Sequence, residues 1–269
     1  MIVNADDLGL AEGVNRGILE AHEAGAVSSA SAIVNLPAFG DAALRALAAP
    51  RLGVGLHFNI VLGRPLTRAL SLTDRRTGRF LPLTALARRA FTGRIEAGDV
   101  HAECAAQLMR LRDAGIRITH VDSHRHAHAL PGVWRAVCRA AHEAGVPVVR
   151  VPLEPWRVNG GDAAAAGKKL ALAAAWRLAS IGAPPLRRPV RFVGISLQGG
   201  HRFEVRLMRL LRALPPGTTE LMVHPGHDDA ELGALDPYRG AREIELAVLT
   251  SASVRDALRG LELTHFGRL

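Results

Sequence analysis

The chain has little cysteine, little aromatic character and no long apolar run. Its two cysteines among 269 residues, Cys104 and Cys138, each sit inside an apolar helical pattern. A buried free thiol is the simplest reading, and neither a disulfide framework nor a cysteine-based zinc site is indicated. Aromatics make up 4% of the chain, with one tyrosine, too sparse for the base-stacking surfaces of nucleic-acid binders. The longest apolar run, Leu170 to Ala175, stops soon after Trp176 at Arg177, too short to cross a bilayer. No Gly-x-Gly-x-x-Gly follows the first predicted strand, so a dinucleotide site has no support. Met1-Ile2-Val3 opens without a basic n-region or cleavage motif. A signal peptide is therefore not expected, and a cytoplasmic protein is.

Positive charge is plentiful. Lys and Arg number 34 against 25 Asp and Glu, a formal charge of +9. The arginines are scattered, which reads as a general bias toward acidic partners and not as a nucleic-acid footprint.

A recurring junction reveals the architecture. Ala21-His22-Glu23-Ala24-Gly25 closes a helical pattern and leads into a β-like run; the same residue types return at Ala141 to Gly145, and Arg112-Asp113-Ala114-Gly115 is a third version. Glycine suits the left-handed position that ends a helix, and β-branched residues then start a strand. Strands are predicted near 1–5, 28–35, 52–59, 116–123, 146–152, 190–197 and 218–224. Helices are predicted near 12–24, 39–48, 97–114, 131–144, 163–181, 203–213 and 239–260. Alternating strand and helix means a parallel sheet, and this number of units suits a closed or nearly closed (β/α) TIM-like barrel over residues 1–269 as one domain. An open doubly wound sheet is the alternative. The long connections at about 63–96 and 153–190 should be excursions over the catalytic end.

Thr119 to Pro131, THVDSHRHAHALP, is the most unusual stretch. It places His120, Asp122, His124, His126 and His128 at every second position, a one-sided array if the strand continues through it. Successive same-face residues are about 6.5–7 Å apart, so the histidines cannot all share one ion. One is a ligand candidate and another a supporting or substrate contact. Arg125 should face away into a structural ion pair.

Other predicted strand ends are equally polar: Asp6-Asp7, Gly55-Leu56-His57, and His224-Pro225-Gly226-His227-Asp228-Asp229. In parallel α/β folds these ends converge. Adjacent Asp6 and Asp7 either open a helix at its positive end or are separated by a divalent cation, one binding it and the other staying free to take a proton. His57 is a satisfied core histidine or, with Asp7 and His124, completes an Asp-His-His metal set. His224 is a turn residue or a general acid near its ordinary pKa. Asp228 and Asp229 either cap the next segment or orient His224.

Together, Ile2 to Leu10, Gly55-Leu56-His57 with Gly63-Arg64-Pro65-Leu66, Asp122 to His128 with Pro131, and His224-Pro225-Gly226 resemble the YdjC-like carbohydrate deacetylases, which include chitooligosaccharide deacetylases. The resemblance implies a (β/α) barrel related to the NodB-type polysaccharide deacetylases. It also implies one divalent ion, Mg2+ or Zn2+, on Asp7, His57 and His124, with Asp6 as general base and His224 as acid. Asp122, His126, His128 and Arg150 are candidate substrate or supporting contacts. Val148 to Trp156 and Leu214 to Glu220 further resemble the hopanoid-biosynthesis-associated HpnK branch, from which the chain departs at Asp122-Ser123, where Asn-Ala is expected.

The implied reaction removes an N-acetyl group from an amino-sugar conjugate, an N-acetylglucosaminyl hopanoid or a chitooligosaccharide. A metal-dependent phosphoesterase or amidohydrolase is the rival, and a binding protein with a structural metal is the non-enzymatic alternative. The helix near 163–181, with Lys168, Lys169 and Arg177 beside its leucines, fits packing on the barrel or an interfacial lid on anionic lipid. That would place the protein peripherally at the inner membrane surface. A second copy of the chain is a further candidate partner.

Overall fold

The protein is described here from a computed structural model, in which residues 1–146, 148–156, 163–181, 187–199 and 202–269 are placed. Six parallel strands are found among them: β1 (Ile2–Leu8), β2 (Ser29–Ala32), β3 (Gly53–Phe58), β4 (Ile118–Ser123), β5 (Arg191–Val193) and β6 (Thr219–Val223). Their order is β4-β3-β2-β1-β6-β5. Helices α1 (Glu12–Glu23), α2 (Phe39–Ala48), α3 (Leu83–Phe91), α4 (Ala97–Asp113), α5 (Trp134–Glu143), α6 (Ala163–Ala179), α7 (Phe203–Arg212), α8 (Ala230–Leu235), α9 (Gly240–Leu249) and α10 (Ala252–Arg259) accompany the sheet.

The repeated junctions behave as their residues dictate. Gly25, Gly115 and Gly145 have φ of +81°, +84° and +71°, the left-handed region that glycine enters without a Cβ penalty. Every residue of β1 is buried. Val3, Ala5 and Leu8 join Ala30, Val54, Leu56, Val121 and Leu221 in one apolar core under the helices.

Among the described residues the architecture is a parallel α/β half-barrel of six strands, and a fully closed barrel is not seen. In the segment predicted as a strand at 146–152, residue 147 lies outside the described residues, and the described ones make isolated parallel bridges, Val149 with Val121 and Val148 with Arg187. Pro152 has no N–H to donate to a ladder, so the pairing stops there. β5 stops at Val193, just before Gly194, whose φ is +136° and whose added Cβ would lie 2.5 Å from the Met222 carbonyl oxygen. The strand predicted to Leu197 therefore turns away early.

Both long connections reach the C-terminal end of the sheet. The first is tied down by Glu103 on α4, whose carboxylate accepts hydrogen bonds from the Leu66 and Thr67 amides at 3.0 and 2.9 Å and from the Thr67 hydroxyl at 2.6 Å. The second carries α6, where Lys169 meets buried Glu154 at 3.1 Å. Residues 157–162 and 182–186 of that connection lie outside the described residues.

Gly17 on α1 faces the β6–α8 loop, and a Cβ there would stand 2.6 Å from the Gly226 Cα. Gly17→Ala should lower unfolding stability by about 1–3 kcal/mol through overpacking. Gly167→Ala, in the exposed middle of α6 with open space around it, should raise stability by about 0.5–1 kcal/mol. Urea denaturation of the two variants checks the opposite signs.

Candidate active site

Consecutive residues of a strand face opposite sides, yet Asp6 and Asp7 both line one cavity of about 330 Å³, with His57, His124, His126 and His224. The reason is local. Asp7 has φ +74°, a left-handed conformation that breaks the alternation and turns its carboxylate toward the side Asp6 already faces. The turn is held by Leu10 donating to the Asp7 carbonyl at 3.0 Å and by the Gly9 amide donating to Asn15 Oδ1 at 2.6 Å.

Asp7 Oδ1 lies 2.8 Å from His124 Nδ1 and 3.2 Å from His57 Nε2. One donor atom from each of these three residues falls within 4.8 Å of the others. His57 and Asp122 are direct neighbours in the β3–β4 register, which puts His57 Nδ1 2.7 Å from Asp122 Oδ1. A carboxylate held there fixes the ring and turns Nε2 toward Asp7, the usual support of a metal-binding histidine. Burial opposes charge on the His57 ring, but the Asp122 and Asp6 carboxylates outweigh it and raise its pKa to about 10. The buried field therefore favours a cation at this spot, and two imidazole nitrogens with a carboxylate oxygen suit a divalent ion. The donor set fits. Asp6, His57 and Asp122 form a second such group, but a guanidinium nitrogen of Arg150 already sits 2.6 Å from Asp6 and 2.7 Å from Asp122.

Asp6 is not the free carboxylate that the sequence suggests. Arg150 grips it with both terminal nitrogens, at 2.6 and 2.7 Å, and Asn4 Nδ2 donates at 2.8 Å. Burial alone would raise the Asp6 carboxyl; Arg150 beside it holds it well below the usual carboxylate range. Arg150 also donates to Glu220 at 2.6 Å. Burial pushes Glu220 up to about 7, with Arg150 pulling the other way.

The His120–His128 array does not form one face. β4 ends at Ser123, and His124–Ala129 is a 3-10 turn in which Arg125 and His126 have φ of +54° and +55°. His120 stacks on Phe266 at 3.9 Å, below the site. His128 is held between the Ser123 hydroxyl at 2.5 Å and the Arg150 carbonyl at 2.9 Å, a supporting position. His126 lines the cavity. So does Arg125, expected to face away, which approaches Asp236 at 3.7 Å.

His224 donates no hydrogen bond to Asp228 or Asp229. Asp229 caps α8 through the Leu232 amide at 2.8 Å, and Asp228 pairs with Arg239 at 2.8 Å. The His224 amide instead donates to Glu245 at 2.6 Å, and its ring lies 3.3 Å from Gln198 Nε2. Burial pushes His224 down to about 4, against the pull of Asp6 and Asp7, so its pKa is not near the ordinary imidazole value expected from sequence. Arg242 is a further site residue that the sequence pattern does not single out. It donates to the second Asp7 oxygen at 2.6 Å and to Asp236 at 2.9 Å. Its only sequence signal is an arginine on the inward face of a helical pattern.

An α/β half-barrel with an Asp-His-His donor set at its strand ends is a layout suited to metal-assisted chemistry. The chain belongs to the YdjC-like protein family, whose profile matches residues 1–260. A carbohydrate deacetylase of Geobacillus stearothermophilus is 35% identical over 269 residues, covering 98% of this chain and 96% of that protein. A chitooligosaccharide deacetylase of Salmonella schwarzengrund is 32% identical over 263 residues, covering 96% and 93%. A solved structure from Enterococcus faecalis, of a protein proposed to act in cellobiose-phosphate cleavage, superposes with a TM-score of 0.77 at 24% identity, covering 99% and 97%. It shares the fold.

Two outcomes test the electrostatics. Asp122→Asn removes the anion that orients His57 and should weaken binding of a divalent ion about 10–100-fold, read by metal competition titration. Burial raises Glu245 from its ordinary 4.5 to about 7. The folded state thus prefers the protonated form, and stability declines as pH rises from about 4.5 to 7. Glu245→Gln should gain Tm relative to the parent between pH 5 and pH 8; an unchanged difference would contradict the burial.

Proposed function

We propose that the protein is a metal-dependent hydrolase that removes an N-acetyl group from an amino-sugar conjugate. The observation that carries this is the convergence of Asp7, His57 and His124 within 4.8 Å, with Asp6 and His224 on the same cavity wall. The names of the aligned relatives support the substrate class.

A divalent ion on Asp7, His57 and His124 would polarise the acetamide carbonyl and acidify a water. Asp6, kept ionised by Arg150, takes the proton of the attacking water. A carboxylate this weakly basic does not retain that proton but passes it to His224, which lines the same cavity. His224 is neutral at rest, but once protonated it is a strong acid, since its pKa lies near 4. It therefore readily gives its proton to the leaving nitrogen as the C–N bond breaks. Arg242 holds the second Asp7 oxygen and so restricts that carboxylate to one direction.

The phosphoesterase rival loses ground on geometry. Two-metal hydrolases need a second ion about 3.5–4 Å from the first, and Arg150 occupies the gap between Asp6 and Asp122. Chitooligosaccharides and glucosaminyl lipids, a hopanoid glycoside among them, are the two acceptors carried forward.

Acetate release from chitobiose and from a hopanoid glycoside, with metal content measured in parallel, tests the reading. One ion per chain is expected, with activity lost on chelation and restored by Zn2+ or Mg2+. Asp6→Asn should lower kcat by about 10²–10⁴ with metal still bound. Full turnover by that variant would falsify the base assignment.

A further inference from the structure

Glu154 joins α6 to the segment that follows β5. Its buried carboxylate meets Lys169 of α6 at 3.1 Å. The same group accepts from the Gly194 amide at 3.1 Å and from the Ser196 amide and hydroxyl at 2.9 and 2.8 Å. The next residue of α6 is thereby set beside Gln198, and Lys168 Nζ donates to Gln198 Oε1 at 2.5 Å. Both side chains line the cavity that holds Asp6, Asp7 and His224.

An ammonium group has three donors and no acceptor. It therefore fixes which way the Gln198 amide points, with Oε1 toward Lys168 and the NH2 group toward His224. Gln198 Nε2 lies 3.3 Å from His224 Nε2 and 3.5 Å from Nδ1. Among the described residues no other hydrogen bond reaches that ring. The backbone beside Gln198 is tied to His224 by a second route. The Gly199 amide donates to the Tyr238 hydroxyl at 2.7 Å, and that hydroxyl donates to Glu245 Oε1 at 2.5 Å. Glu245 Oε2 in turn accepts from the His224 amide at 2.6 Å. The circuit is closed, from the His224 backbone to Gly199 and from Gln198 back to the imidazole.

We propose that Gln198, oriented by Lys168, is the positioning residue for His224, the acid of the proposed deacetylation. The geometry rests on the hydrogen-bond circuit, and its consequence for turnover rests on the deacetylase reading. A neutral imidazole offers a lone pair to the Gln198 NH2 group, whereas an imidazolium offers only N–H groups and loses that partner. Gln198 thus keeps the resting ring ready to accept the proton from Asp6 and favours its onward transfer to the leaving nitrogen. Lys168 also faces His224 as a charge, an effect that a double-variant cycle separates from orientation.

Acetate release from chitobiose by the metal-loaded full chain, together with ring-nitrogen NMR of the histidine-labelled protein, tests the pair. Lys168→Met and Gln198→Leu should each lower kcat about 10–100-fold with KM within about twofold of the parent. The double variant should fall no further than either alone, because the two residues act as one unit. Lys168→Arg, whose side chain also has donors and no acceptor, should keep most of the parent's kcat. In the spectra, the His224 ring signals should move in Lys168→Met and in Gln198→Leu and stay in place in Lys168→Arg. Losses that multiply in the double variant mean that Lys168 acts by charge alone, which overturns the proposal. So do His224 signals unmoved in Gln198→Leu, or a raised KM with kcat intact. Shifted His224 signals in a protein that releases no acetate uphold the positioning and count against the deacetylase reading alone.

Discussion

A single buried guanidinium ties the pocket floor together. Arg150 is fully buried and contacts Asp6 from β1, Asp122 from β4 and Glu220 from β6. Charges removed from water are tolerated only when paired, and here one cation serves three acids on three strands. Glu220 relieves part of the excess by holding its proton up to about 7. Arg242 answers Asp7. Asp6, Asp7 and Asp122 still outnumber the two guanidinium groups, and the remaining negative field falls where His57 and His124 face Asp7. The affinity of that corner for a cation follows from the charge balance of the whole floor.

Direction is as important as charge. Arg150 holds Asp122, Asp122 holds His57, and His57 is thereby aimed at Asp7. Asp7 can take part because its backbone leaves the strand conformation, a costly geometry for a residue with a side chain. The cost is offset by the anchored turn behind it, in which Asn15 bonds Gly9 on one side and the Ala38 carbonyl, at 3.0 Å, on the other. The first βα loop, the second helix and the site are one mechanical unit.

Much of this was legible in residue order. Glycine-closed helices followed by β-branched runs encode the strand–helix alternation, and polar residues at apolar strand ends mark the open end of the sheet. The extent of the barrel was not legible: Val146 to Pro152 has strand-forming residues, but whether it pairs depends on what lies beside β4. The alternating histidines misled for a related reason. Their spacing is compatible with a strand, yet Arg125 and His126 adopt left-handed conformations that the sequence does not announce.

Residue chemistry and its position along a strand are local properties, so Asp7, His57 and His124 stand out as candidate ligands in the sequence itself. Pairing between distant charges is not local. Arg150 reaches Asp6 across 144 positions and Arg242 reaches Asp7 across 235, and no periodicity connects them. Whether a carboxylate is free or gripped, and whether a histidine titrates near its ordinary value or far below it, depends on those long-range neighbours and on burial. Both come into being only when the chain packs.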